Sequence, residues 1–130
     1  MSAIMRVFAA VLMAFCFQSV QADEGLLKPF VLGSKGPGDL NGKVDATKKE
    51  LASQGFVLAG SYSPYPDTVI LVVTNDELKK NAAQSDMGGF GAMERVSVVK
   101  SGGDIQVSYM NPVYMANAYR MKGDLSGVAS

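Results

Sequence analysis

The segment ERVSVVKSGGDIQVSYM, residues 94–110, predicts a β-hairpin. Gly102 and Gly103 suit its two-residue turn, because glycine takes positive φ values without steric cost. That turn pairs Val98 with Val107, and alternation along both strands then separates the side chains by polarity. One face carries Val96, Val98, Ile105, Val107 and Tyr109, and the other carries Arg95, Ser97, Gln106 and Ser108. Turn chemistry and alternation thus agree on one register, with the apolar face directed at a core.

Turn and capping residues predict the elements before the hairpin. We expect a strand within 28–33, a loop at 34–39, a helix at 40–54, strands at 56–62 and 69–73, and a helix at 75–86. Asp39 is suited to cap the start of the first helix, and Gly55 to end it. The continuous β-branched run 69–73 predicts a strand buried on both faces. Thr74 and Glu77 have the spacing of a capping box for the second helix.

Asn111-Pro112 follows the hairpin directly and predicts a helix at 112–121, because asparagine favours the N-cap and proline the first turn. Beyond it the chain is small and polar, so we expect no apolar closing element. Whether Ser130 ends the protein or a truncated form of it is left open. The order β-α-β-β-α-β-β-α predicts an α+β domain: a two-layer sandwich with a mainly antiparallel sheet and helices packed on one face.

Residues 1–22 have the pattern of a secretory signal peptide. Arg6 supplies the positive start, 7–17 is an apolar run too short to span a bilayer comfortably, and Ala22 ends a site suited to signal peptidase. We predict cleavage after Ala22, which leaves 23–130 as a single domain without a stable membrane anchor, periplasmic or secreted. A retained membrane anchor is the alternative.

Composition excludes several kinds of chemistry. The chain has no histidine, and its one cysteine, Cys16, leaves with the signal. The mature domain therefore has no disulfide, thiol nucleophile, imidazole base or ordinary zinc site. The 12 basic residues are balanced by 12 acidic ones and form no cluster, which argues against nucleic-acid binding and a polybasic membrane patch. We predict no cofactor and no metal, since the mature methionines suit core filling better than copper binding.

Residues 55–121 resemble domain-of-unknown-function family 302. The resemblance is carried by the turn Tyr62-Ser63-Pro64-Tyr65-Pro66, the strand 69–73, the glycine-rich segment 88–91 and the Asn111-Pro112 step straight after a strand. It implies a two-layer fold of helices and sheet, and a possible homodimer. It brings no established chemistry.

Asn111 marks the main candidate ligand site. Free N–H groups at a helix start, together with the helix dipole, favour an anion, and Arg95 and Arg120 would assist. The alternative is that Asn111 only caps the helix and that both arginines are solvated.

Phe90, Tyr109 and Tyr119 complete the candidate ligand-binding residues. Phe90 either packs as a lid on the core or exposes its ring to a ligand. The tyrosines suit surfaces that are partly apolar and partly wet. If they converge near Asn111, they form a groove for a ligand or a partner, and if they scatter, they are ordinary packing. The segment 88–91 lacks the Lys-Ser/Thr of a phosphate-binding loop and predicts a tight turn. No spacing singles out a catalytic pair among the carboxylates, and no motif supports a Ser–Lys nucleophile.

Three functions follow as hypotheses. The first is a non-catalytic secreted or periplasmic binding or accessory domain for an unknown small molecule or protein partner. The second is an enzyme that uses carboxylates or Ser/Lys without His or Cys. The third is a homodimeric structural or interaction protein joined through a sheet edge.

Overall fold

Five antiparallel strands form one sheet in a computed structural model that describes residues 26–130. The strands are β1 (Phe30–Pro37), β2 (Val57–Tyr62), β3 (Thr68–Thr74), β4 (Glu94–Ser101) and β5 (Asp104–Met110). Their order across the sheet is β1-β5-β4-β3-β2. The predicted α+β architecture is confirmed, while the predicted signal peptide and its cleavage after Ala22 lie outside the described residues.

The hairpin of β4 and β5 has the predicted register. Val98 lies opposite Val107, and Val96 lies opposite Tyr109. Gly102 takes a φ of 62°, in the left-handed region that the turn requires. The predicted apolar face is the one buried in the core.

The helices of the described region are α1 (Leu40–Ser53), α2 (Asp76–Ala82), α3 (Pro112–Ala118), α4 (Ser126–Ala129) and a 3-10 helix (Gly88–Gly91). Helix α1 begins as predicted at Asp39, whose carboxylate accepts the N–H of Gly42 at 2.8 Å. It ends just before Gly55, which has a φ of 86°. Within residues 26–130 no helix has the length and apolar character needed to cross a membrane.

Two apolar clusters hold the helices to the sheet. The first, between α1 and the sheet, contains Val44, Leu71, Val73, Val96, Val98, Ile105 and Val107. The second joins the short helices at the end of the sheet where β3 ends and β4 begins, and it contains Leu78, Met115, Ala116 and Leu125. Phe56 packs against both clusters. The helices therefore cover one face of the sheet, called the covered face below; the opposite one is called the open face.

Strand β1 is longer than predicted. The segment 34–37, expected as a loop, pairs with β5 as far as Pro37 opposite Asp104. Proline is tolerated there because β1 is an edge strand, whose outward N–H groups need no strand partner. Long-range pairing with β5 outweighs the local turn signal of Gly36-Pro37.

The prediction that residues 69–73 are buried on both faces was wrong. Leu71 and Val73, on the covered face, are 0% and 2% exposed, whereas Ile70 and Val72 on the open face are only partly buried. An antiparallel sheet allows one packed face and one open face, unlike a parallel sheet that helices cover on both sides.

Helix α2 begins at Asp76 and stops at Ala82, short of the predicted residue 86. Its N-cap is Asn75, whose side chain accepts the N–H of Leu78 at 2.8 Å. The predicted cap, Thr74, is the last residue of β3 and donates its hydroxyl to the carbonyl of Ala92 at 2.6 Å. Strand pairing therefore removes Thr74 from the predicted capping box.

An apolar closing element follows α3, contrary to prediction. Helix α3 ends at Ala118, before the predicted residue 121. Leu125 is buried and packs against Leu78 and Met115, and α4 follows it. A single leucine carries no periodic signal, so only tertiary packing reveals its role.

The segment 88–91 forms the tight turn that was predicted, as a 3-10 helix. A Cβ at Gly88 would lie against the backbone carbonyl oxygen of Ala82, whereas a Cβ at Gly89 would have nothing within 4 Å. Glycine at position 88 thus allows close packing against the end of α2.

Candidate functional site

A cavity of about 770 Å³ lies between α1, the covered face of the sheet and α4. Its apolar wall includes Leu51, Phe56, Val73, Val96, Val107 and Val128. Its ionisable and hydroxyl groups include Lys43, Thr47, Glu50, Glu77, Glu94 and Tyr109. Small-molecule sites have volumes of roughly 300–1,000 Å³ and a mostly apolar lining with few polar groups. The cavity has this size, and its lining is mixed, with polar side chains about as numerous as apolar ones.

Glu94 is the polar group that stands out in the cavity wall. It begins β4 opposite Val73, on the covered face, and is only 4% exposed. Neither of its carboxylate oxygens has a hydrogen-bond partner. A buried polar group left unpaired costs roughly 1–3 kcal/mol, and native proteins keep few of them. Glu94 is therefore a carboxyl group in the cavity wall whose hydrogen-bonding capacity the protein leaves unmet.

Burial raises the pKa of Glu94 from 4.5 to about 7, because a low-dielectric environment penalises the charged carboxylate. The backbone N–H and the positive charge of Arg95 lower the pKa by a smaller amount. That N–H lies near the carboxylate without the geometry of a hydrogen bond. Near neutral pH the side chain therefore exists in both protonation states.

Two other polar groups of the wall, Thr47 and Asn75, already have hydrogen-bond partners within the protein. Thr47 is buried, and its hydroxyl donates to the carbonyl of Lys43 at 2.8 Å. Asn75 is used as the cap of α2. Glu94 differs from both because its oxygens accept no such bond.

Charged side chains at the cavity have no ion-pair partner among the described residues. Lys43 is half-buried, while Glu50 and Glu77 are exposed. The ion pairs found in residues 26–130 join Lys35 to Asp104, Lys48 to Asp45 and Lys79 to Asp76, all away from the cavity. In the same part of the chain, no three acidic side chains cluster closely enough to hold a metal ion.

Glycine lets α4 close one side of the cavity. A Cβ at Gly127 would contact the carboxylate of Glu77. The absence of that atom allows α4 to approach α2 closely. This wall is therefore made by tertiary packing between segments that are distant in sequence.

Asn111, the main predicted site residue, is occupied by structural hydrogen bonds. Its Oδ1 accepts the N–H of Val113 at 3.1 Å, and its Nδ2 donates to the carbonyl of Lys28 at 2.9 Å. Its backbone N–H donates to the carbonyl of Pro29 at 2.9 Å. These hydrogen bonds favour the alternative in which Asn111 caps α3. They also attach Asn111 to the segment before β1.

Arg95, Arg120 and Tyr109 do not converge on one place. Tyr109 lies opposite Val96 and lines the cavity. Arg95 precedes Val96 in β4, so it faces the open side of the sheet, where it is exposed. Arg120 is exposed beyond the end of α3. Of these three residues, only Tyr109 belongs to the cavity.

Phe90 and Tyr119 meet each other but not the cavity. Their ring centroids are 6.4 Å apart with an interplanar angle of 35°. They are 68% and 47% exposed, respectively. They form a small aromatic surface between the 3-10 helix and the end of α3, separate from Asn111 and from the cavity wall.

Sequence reasoning missed Glu94, although a signal for it was present. Alternation along β4 places residue 94 on the same face as Val96 and Val98. A glutamate on the apolar face of a strand is unusual, because glutamate is seldom fully buried unless it is paired. That signal predicts a buried carboxylate, but it does not predict the cavity beside it.

The open face of the sheet is a second exposed surface. Phe30 and Leu32 on β1 are 64% and 57% exposed. Tyr62 lies at the opposite edge, on β2, and is also exposed. None of the described side chains on this face is fully buried.

The antiparallel sheet with helices on one face has the fold of the domain-of-unknown-function family 302, as the resemblance predicted. Comparison with solved structures shows similarity to the uncharacterized conserved protein DUF302 from Bacillus stearothermophilus, with a TM-score of 0.63 and 13% sequence identity. The match covers 72% of this chain and 82% of that one. Comparison with family models and with curated proteins finds no match. At this identity the likeness concerns the fold alone.

Proposed function

We propose that this protein is a small-molecule binding module whose ligand enters the cavity beside Glu94. The observation that carries the proposal is a glutamate that is buried, has no hydrogen-bond partner and lines a cavity of ligand size. Folding leaves this group unsatisfied, and a ligand that bonds to it removes that penalty. Glu94 thus provides a polar group to which a ligand can bond.

The rest of the wall supports this proposal. Phe56, Leu51 and Val107 offer an apolar surface for the body of a ligand. Lys43 and Glu50 are within the same wall. Glu94, next to these apolar side chains, would fix the orientation of a small molecule.

The test is a fragment screen followed by two-dimensional amide NMR on the full domain. We expect bound fragments to shift the amide signals of α1, β4 and α4. Glu94→Gln should weaken fragments that bond to the carboxyl by about tenfold, the worth of one charge-assisted hydrogen bond. Asp45→Asn is the matched control, because it makes the same chemical change on an exposed side of α1.

Two outcomes would contradict a binding cavity in which Glu94 bonds to the ligand. One is that fragments shift only signals of the open face or of the region around Asn111. The other is that Glu94→Gln and Asp45→Asn bind every fragment equally well.

We further propose that the module acts in the periplasm or as a secreted protein, which rests on the signal-peptide pattern of residues 1–22. Expression of the full chain, followed by fractionation and mass measurement, tests this. A mass that corresponds to a chain starting at Asp23 supports export, and an intact N-terminus in the membrane fraction contradicts it.

The open face of the sheet favours a second proposal, a homodimer joined through that face. Phe30 and Leu32 expose apolar side chains along the β1 edge of this face, and exposed apolar surface often marks an interaction site. Sedimentation velocity should give a dimer for the wild type and a monomer for Leu32→Lys. Tyr65→Lys, which changes an exposed apolar side chain in a turn, should remain dimeric. A monomeric wild type would exclude this proposal.

A further inference from the structure

We propose that the ligand of the cavity is an organic cation, an amine with an apolar body, whose ammonium group pairs with the carboxylate of Glu94. This inference rests on the proposed binding function and names the class of ligand. It is carried by the placement of three carboxyl side chains and one ammonium on the wall of one cavity.

The charge of the wall favours a positive ligand. Glu94 lies inside, Glu50 and Glu77 lie toward solvent, and Lys43 is the single basic residue of the wall. None of these four takes part in the ion pairs found within residues 26–130. Carboxylates that line a cleft with low-dielectric walls attract and concentrate cations.

The burial of Glu94 makes a cation the most effective partner. A carboxylate taken out of water is strongly destabilised unless an opposite charge and hydrogen bonds compensate it. Both of its oxygens lack a hydrogen-bond partner and are shielded from solvent, so an ammonium group donates N–H bonds to them once the side chains around Glu94 move aside. An ammonium group offers three N–H donors and a full positive charge.

The cavity favours an organic cation over a bare metal ion. Within the described residues, no three acidic groups stand close enough to bind one metal together. Phe56, Leu51 and Val107 provide apolar surface that a metal ion would not use. A cationic head with a hydrocarbon body matches both features.

Binding should release a proton. When Glu94 is protonated, its O–H bond breaks, the proton goes to the solvent, and the carboxylate pairs with the ammonium. The titratable groups that share the cavity wall with this carboxyl are Lys43 and Glu50 on α1, Glu77 on α2 and Tyr109 on β5, and Arg95 is adjacent in β4. Burial raises the pKa of Glu94 to about 7, so affinity should increase with pH below neutrality.

The experiment compares hexylammonium, hexan-1-ol and hexanoate by isothermal titration calorimetry with the full domain. We expect hexylammonium to bind at least tenfold more tightly than the neutral and anionic compounds. Its affinity should rise about tenfold per pH unit at acidic pH and level off above about pH 8. Titrations below neutral pH in two buffers with different ionisation enthalpies should show release of nearly one proton.

Variants separate this inference from the general proposal. Glu94→Gln should remove both the preference for hexylammonium and the proton release, and Asp45→Asn should retain both. Hexan-1-ol or hexanoate binding in the cavity as tightly as hexylammonium would overturn the cation inference and leave a binding cavity standing. Binding of hexylammonium that is unchanged in Glu94→Gln would also overturn it. If no compound of any charge binds, both proposals fail.

Discussion

Replacement of Glu94 by glutamine should abolish a large pH dependence of stability. In the unfolded chain this carboxyl has an ordinary pKa of 4.5, and burial raises the pKa of the folded state to about 7. Between these values the folded protein holds one proton more than the unfolded chain. The free energy of unfolding therefore falls as pH rises through this window. Glutamine does not titrate, so the variant lacks this contribution.

The magnitude follows from the two pKa values. One pKa unit corresponds to about 1.4 kcal/mol, so the change from 4.5 to about 7 is worth about 3 kcal/mol. For a domain of this size, 1 kcal/mol shifts the melting temperature by roughly 4–8 °C. Between pH 5 and pH 8 about 2.5 kcal/mol of this is lost, so the wild type should melt roughly 10–20 °C lower at pH 8 than at pH 5 from this group alone. Glu94→Gln should be the more stable protein at pH 8.

Urea and thermal unfolding, measured from about pH 5 to pH 8, test this expectation. Asp124 does not interfere, because hydrogen bonds from Ser126 lower its pKa, so that its stabilising effect is lost only at more acidic pH. Asp45→Asn controls for the loss of one negative charge and should follow the wild-type curve. Parallel curves for the wild type and Glu94→Gln would show that the carboxyl is not buried as described.

Three further substitutions test the packing and the caps. Gly88→Ala should lower the free energy of unfolding, measured by urea titration, by about 1–3 kcal/mol, because a Cβ would meet backbone atoms. Gly89→Ala should lower it less, because a Cβ at that position would meet open space. Asn111→Ala should lower the free energy of unfolding by about 1 kcal/mol, because the helix loses its cap. A loss of ligand affinity without a loss of stability would instead indicate that Asn111 is a site residue. Leu78→Ala should cost about 2–5 kcal/mol because the side chain is fully buried, whereas Lys79→Ala, measured by thermal melting, should be close to neutral.

The parts of the fold that could be predicted are those controlled by neighbouring residues. The hairpin register follows from Gly102-Gly103 and alternation, and the starts of α1 and α3 follow from their capping residues. The errors occur where a distant segment competes with a local signal. Pairing with β5 extends β1 past its predicted end, and the continuation of β3 through Thr74 moves the cap of α2 to Asn75.

The candidate site shows the same division. Alternation in β4 is enough to place Glu94 on the apolar face, and the absence of histidine from the chain excludes an imidazole base. The role of Asn111 was undecided in the sequence, because its second partner is the carbonyl of Lys28, 83 residues away. The cavity exists only because α1 and α4 approach the sheet from distant parts of the chain. The local sequence determines which residues are unusual for their position in a strand or helix. Long-range packing decides which of those residues remain without a hydrogen-bond partner.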